Sequence, residues 1–183
     1  MTTNKRPGMR LGSIGLATVG LGHGVTTIGQ LADEDVAIAV KTYKYDRLYM
    51  DIATRCAAMS YGERAKVGCV IVRDGNILSM GWNGMPRGWD NTCEDNLYDD
   101  TAQWVGNKTK PEVSHAEENA IAKLAKSTTT SAGATAYVTL EPCLNCAKLL
   151  YSSGITRVVI DKAYRDHSGV WFLLRCNIPV VWL

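Results

Sequence analysis

Apolar and polar positions change period along this chain, and each change marks an element. Leu48, Ile52, Cys56 and Met59 recur at helical spacing, which predicts a helix from Asp46 to Ser60. Asp33 to Tyr45 predicts a further helix in front of it. Val67 to Arg73 is an apolar, β-branched run and predicts a strand. Asp74-Gly75-Asn76 is a turn signal, and Ile77 to Trp82 returns as the second strand of a hairpin. Asn83 to Pro111 is dense in turn residues and acids and reads as one long loop, a length that is usually functional inside a compact domain. Helical spacing resumes from His115 to Lys126 through Ala116, Asn119, Ala120, Lys123 and Leu124. A strand follows at Thr135 to Leu140, then a helix at Cys143 to Ser153 stopped by Gly154, and a strand at Thr156 to Ile160. A helix at Ser168 to Cys176 and a strand at Pro179 to Trp182 close the chain. This order predicts an α/β fold: a mixed sheet with helices on its faces, mostly parallel after the hairpin.

The first 30 residues break the pattern. Gly8, Gly12, Gly15, Gly20, Gly22, Gly24 and Gly29 interrupt any periodicity, so residues 1–30 read as a flexible glycine-rich extension and 31–183 as a single domain. No stretch reads as a membrane span or as a clear signal peptide. The net charge of +2 gives no broad electrostatic footprint for nucleic acid, although a local patch would not show in it. Six cysteines with one close pair do not make a disulfide scaffold; a cytoplasmic protein with one metal-binding pair fits better.

The chemistry lies in a split motif. His115-Ala116-Glu117 precedes Pro142-Cys143-Leu144-Asn145-Cys146, with Cys143 lying 28 residues on from His115. Together they offer three zinc ligands, His115, Cys143 and Cys146, and a carboxylate, Glu117, that need not be one. Three protein ligands leave a tetrahedral zinc with an open position, the mark of a catalytic site, where bound water becomes acidic near neutral pH. Glu117 would then act as proton shuttle. Both half-sites fall where a helix begins, and a helix N-terminus favours thiolate. His115 and Glu117, two apart, converge only if the site lies across the start of the helix. Each half also has a plain reading. Ser114-His115-Ala116-Glu117 is a capping box with Glu117 reaching back to Ser114, and Cys143-x-x-Cys146 resembles a redox pair. A capping box does not call for the cysteine pair, and a redox pair does not need His-x-Glu, so the joint pattern favours catalytic zinc.

The spacing of H-x-E and P-C-x-x-C is the zinc deaminase signature, and the chain from about Tyr45 to Leu183 resembles the deoxycytidylate (dCMP) deaminases of the cytidine deaminase-like superfamily. The resemblance is carried by Val67-Gly68-Cys69-Val70-Ile71-Val72, Gly81-Trp82-Asn83-Gly84-Met85-Pro86-Arg87-Gly88, His115-Ala116-Glu117-Glu118-Asn119-Ala120-Ile121 and Tyr137-Val138-Thr139-Leu140-Glu141-Pro142-Cys143-Leu144-Asn145-Cys146. The Asn-Gly-Met-Pro-Arg-Gly loop with its acidic insertion points to the dCMP branch. The resemblance implies a three-layer fold with a five-stranded mixed sheet between helices. It implies hydrolysis of dCMP to dUMP and ammonia, supplying dUMP for dTMP synthesis, and one catalytic zinc per chain. It further implies that Asn83 binds the deoxyribose hydroxyl, that Arg64 and Tyr164 handle the 5′-phosphate region, and that the backbone of Ala116 holds the pyrimidine edge. Gly84 and Arg87 would lie near a site for phosphate or a regulatory nucleotide. A homohexamer, activation by dCTP with Mg2+ and inhibition by dTTP are also family expectations. The chain departs from members that carry a second, structural zinc: its insertion offers only Cys93, and His23 and His167 look unrelated to metal. Two rival readings are a deaminase of RNA or single-stranded DNA, against which the charge and the Asp90 to Asp100 acids weigh, and a noncatalytic zinc-binding module.

Overall fold

The structure is a computed structural model and describes residues 33–183; the glycine-rich segment 1–30 lies outside the described residues. The elements run α1 (Asp33–Ala57), β1 (Gly68–Arg73), β2 (Asn76–Trp82), β3 (Glu94–Tyr98), β4 (Trp104–Thr109), α2 (Ala116–Leu124), β5 (Thr135–Leu140), α3 (Leu144–Ser152), β6 (Arg157–Lys162), α4 (Ser168–Arg175) and β7 (Val180–Trp182).

Five strands form one sheet in the order β2-β1-β5-β6-β7. β1 pairs antiparallel with β2 and β5, whereas β5, β6 and β7 run parallel. Alternation along β1 divides its apolar run between two cores. Val70 and Val72 pack with Tyr49, Met50, Ala53 and Cys56 of α1 on one face. Cys69 and Ile71 pack with Ala116, Ala120 and Leu124 of α2, Ala147 and Leu150 of α3 and Leu173 of α4 on the other. The three expected layers are therefore present.

Two expectations need correction. The two helices expected before the first strand are one, α1, because no proline or glycine interrupts residues 33–57. Its inward stripe is also rotated: Leu48 and Met59 are exposed, and Tyr49, Met50, Ala53, Cys56 and Ala57 are buried. The reason is close approach, not hydrophobicity alone. A Cβ on Gly68 would clash with the Ala53 carbonyl oxygen, so the helix lies on the strand through its alanines. Second, the expected loop 83–111 contains the β3–β4 hairpin. No residue of either strand is fully buried, so no apolar alternation announces them.

A buried polar cluster fastens α1 to the parallel half of the sheet. Arg157 at the start of β6 donates from Nη1 and Nη2 to both Asp46 carboxylate oxygens, at 2.8 and 2.6 Å, and the Tyr137 hydroxyl donates to Asp46 Oδ1 at 2.8 Å. Asp46 is 3% exposed. Burial pushes the Tyr137 hydroxyl well above its ordinary pKa, with Asp46 adding to the shift, so it remains a donor. Removing one partner strands the others in a low-dielectric setting. Asp46→Ala should therefore lower unfolding stability by about 3–5 kcal/mol, and Tyr137→Phe by only about 1 kcal/mol, as read by urea denaturation.

A candidate metal and catalytic centre at one end of the sheet

Strand directions gather the expected site segments. β1 and β5 are antiparallel and β5 and β6 parallel, so the end of β2, the start of β1 and the ends of β5 and β6 all face the same way. Segments 62–67, 83–88, 141–146 and 163–167 thus leave the sheet at one end, where open α/β sheets place their ligands. The Gly68 N–H donates to Thr139 Oγ1 at 3.0 Å and closes that end of the sheet.

His115 and Cys143 are the N-cap residues of α2 and α3, each in extended backbone, and Cys146 lies in the first turn of α3. His115 Nδ1 is 3.3 Å from Cys146 Sγ and 3.7 Å from Cys143 Sγ. All three ligand atoms lie within 4.8 Å of one another. Tetrahedral zinc with Zn–S of about 2.3 Å and Zn–N of about 2.0–2.1 Å would set ligand-to-ligand edges of roughly 3.5–3.8 Å. The donor set and its spacing fit such an ion.

The protonation pattern shows the same convergence. Hydrogen bonds from Cys146 and then from His115 draw the Cys143 thiol down to about 3. The hydrogen bond to Cys143 raises His115 to about 9. Cys146 is pushed far up, first by donating to Cys143 and then by burial. Each of the three side chains is thus shifted chiefly by the others or by its burial among them, as expected where donors converge on one small volume.

Glu117 is 3% exposed in the first turn of α2, and burial pushes its carboxyl up to about 7. The capping-box reading assigned this carboxylate to Ser114. The structure instead caps α2 with Glu118, whose Oε2 accepts the His115 N–H at 2.8 Å. Glu117 is thereby released from capping duty, and because His115 precedes the first helical residue, the two side chains are not forced onto opposite flanks.

The other expected residues fall into two groups. Asn83 Oδ1 accepts the Val67 N–H at 2.8 Å and Asn83 Nδ2 donates to Ala65 O at 2.9 Å, so Asn83 braces the segment that carries Arg64. Arg64 is exposed; its N–H and that of Glu63 donate to Glu94 Oε1, and its Nη1 donates to Thr109 Oγ1 at 3.3 Å. Gly84 bridges to Ser114 through two backbone hydrogen bonds of 3.1 and 3.0 Å, which ties the loop directly to the residue before His115. Arg87 is exposed on that loop, and Ala116 is fully buried. Tyr164 is exposed, and its N–H donates to Glu141 Oε2 at 3.0 Å. His167 Nδ1 lies 2.9 Å from the same oxygen, so this histidine serves a carboxylate. Sequence reasoning missed Glu118 and Glu141; the capping spacing suited Glu118 only once His115 was known as the cap, and Glu141 carried no signal beyond its place in the motif.

Residues 43–162 match the family model for the cytidine and deoxycytidylate deaminase zinc-binding region. The chain belongs to this family of hydrolytic deaminases. A deoxycytidylate deaminase of Mycobacterium phage D29 is 37% identical over 123 residues, spanning 64% of this chain and 94% of that protein. The human deoxycytidylate deaminase is 34% identical over 127 residues, 67% of this chain and 68% of that protein. A crystal structure of the dCMP deaminase of cyanophage S-TIM5, in complex with dCMP and dUMP, superposes with a TM-score of 0.68 at 33% identity, covering 76% of this chain and 97% of that one. The family shares the mixed five-stranded sheet described above.

The free cysteines include Cys93, which is buried in the insertion with its Sγ 3.5 Å from Asn91 O, outside the His-Cys-Cys group. Among the described residues the His-Cys-Cys group is the one such cluster, and purified protein should carry about one zinc per chain by elemental analysis, with Cys146→Ser losing most of it and Cys93→Ser retaining it.

Proposed function

We propose that this chain hydrolyses dCMP to dUMP and ammonia. The observation that carries the reading is the pairing of a three-donor cation cluster with a buried carboxylate, Glu117, that capping does not consume. The cyanophage relative, crystallised with dCMP and dUMP, supports the choice of nucleotide.

Zinc held by His115, Cys143 and Cys146 would supply Lewis acidity and activate water near neutral pH. Glu117 takes a proton from the attacking water and passes it to N3 of the cytosine ring while the water oxygen adds to C4. Glu117 then carries the second proton to the amine, the C4–N bond breaks, and ammonia leaves with the carbonyl of uracil in place. Its burial suits this task, since a carboxylate withdrawn from bulk water exchanges protons with the reactants and not with solvent.

The backbone of Ala116 holds the pyrimidine edge. Asn83 spends Oδ1 and one Nδ2 hydrogen on the 65–67 segment and keeps a second amide hydrogen for the deoxyribose hydroxyl. Arg64 commits Nη1 to Thr109 and offers its remaining donors to the 5′-phosphate, with Tyr164 on the same end of the sheet. Regulation belongs to the same proposal: dCTP with Mg2+, opposed by dTTP, acts at Gly84 and Arg87, whose loop the Gly84–Ser114 bridge couples to His115. So do residues 1–30 as an extension to a single domain, a homohexameric assembly, a cytoplasmic setting and supply of dUMP for dTMP synthesis. Among the described residues, no helix is long and apolar enough to cross a membrane.

Glu117→Gln tests the reading. Zinc content should remain near that of the parent, while kcat for dCMP falls roughly a hundredfold to ten-thousandfold. Unchanged turnover would remove Glu117 as the proton shuttle.

A further inference from the structure

The segment between β6 and α4 crosses the end of the sheet as a short strap, and all its anchors lie on residues 141–143. The Glu141 N–H donates to Lys162 O at 2.8 Å at one end. At the other, a Cβ on Gly169 would clash with the Pro142 carbonyl oxygen, so α4 begins in backbone contact with the residue before Cys143. Between these points residues 163–167 are exposed. The Glu141 carboxylate, with a side chain of 0% exposure, holds them from beneath. Its Oε2 accepts the Tyr164 N–H at 3.0 Å, and His167 Nδ1 lies 2.9 Å from Oε2 and 3.0 Å from Oε1. A carboxylate only accepts, so Nδ1 carries the proton, in the neutral or the charged ring alike. Asp166 completes the strap by accepting the Ser168 N–H at 3.0 Å.

A buried carboxylate directed at a surface segment needs a reason, since it must be matched by donors or cost stability. The donors here are a backbone N–H and one imidazole of the strap itself. We propose that Glu141 and His167 are positioning residues that fix the strap and thereby the Tyr164 side chain on the substrate side of the site; this rests on the reading of Tyr164 as a dCMP contact. Neither residue touches the ligand cluster through its side chain hydrogen bonds, so the effect falls on substrate binding and not on the chemical step.

His167 is the residue to change, because its side chain is 55% exposed and the Glu141 carboxylate keeps the Tyr164 N–H as a donor when the imidazole is removed. With zinc-loaded full-length enzyme, His167→Ala should raise KM for dCMP about tenfold, leave kcat within about twofold, and leave zinc content unchanged. His167→Asn, whose Nδ2–H can replace the Nδ1–H, should recover most of the loss. Tyr164→Ala run beside it should raise KM at least as much. An unchanged KM in His167→Ala alongside a raised KM in Tyr164→Ala overturns the strap alone. An unchanged KM in both overturns the strap and the Tyr164 contact together, and a fall in kcat or zinc content in His167→Ala that Asn does not rescue also overturns the positioning role.

Discussion

The arrangement depends on one constraint: two helices must begin at the same end of one sheet, close enough for side chains at their first residues to meet. Glycines set that approach. Gly81 on β2 lets α2 lie against the strand where any Cβ would strike the Ala116 carbonyl, and Gly169 lets α4 lie against Pro142. His115 and Cys143 then sit at N-cap positions with extended backbone. There the side chain projects beyond the helix and not along its flank, and the helix dipole stabilises thiolate. Cap geometry, not helical periodicity, brings the His-Cys-Cys cluster together.

The division of labour between Glu117 and Glu118 follows from the same geometry. With His115 as the cap, the third helical residue is Glu118, and it reaches back to the His115 N–H. Capping is thus performed by a carboxylate that remains partly exposed, while its neighbour is buried and raised toward neutrality. Two adjacent acids acquire different properties because one turn of helix points them at different surroundings.

Much of this was legible in the residues. The ligand set stood out because two independent half-motifs coincided, and β1, β2, β5, β6 and β7 followed from β-branched runs and turn residues. The phase of α1 was not legible, because Ala53 and Ala57 carry little hydrophobic signal yet are chosen by the clash at Gly68. The β3–β4 hairpin was missed because strands with no fully buried residue show no apolar alternation. Asn83 shows a third kind of limit. Its type suits a ligand or a turn, and the structure shows it bracing residues 65–67 while keeping donor capacity in reserve. The buried carboxylate Glu141, whose partners lie 23 and 26 residues away, left no trace in local sequence.

Whether the zinc-and-carboxylate chemistry acts on a mononucleotide is read from a substrate panel. Zinc-loaded protein would be offered dCMP, deoxycytidine, cytidine and a cytosine-containing single-stranded oligonucleotide, with ammonia and the uracil product both measured. dCMP should yield dUMP and ammonia in equal amounts, the two nucleosides should be used more weakly for want of the 5′-phosphate, and the oligonucleotide should not react. Deamination of the oligonucleotide with dCMP left intact would contradict a mononucleotide substrate.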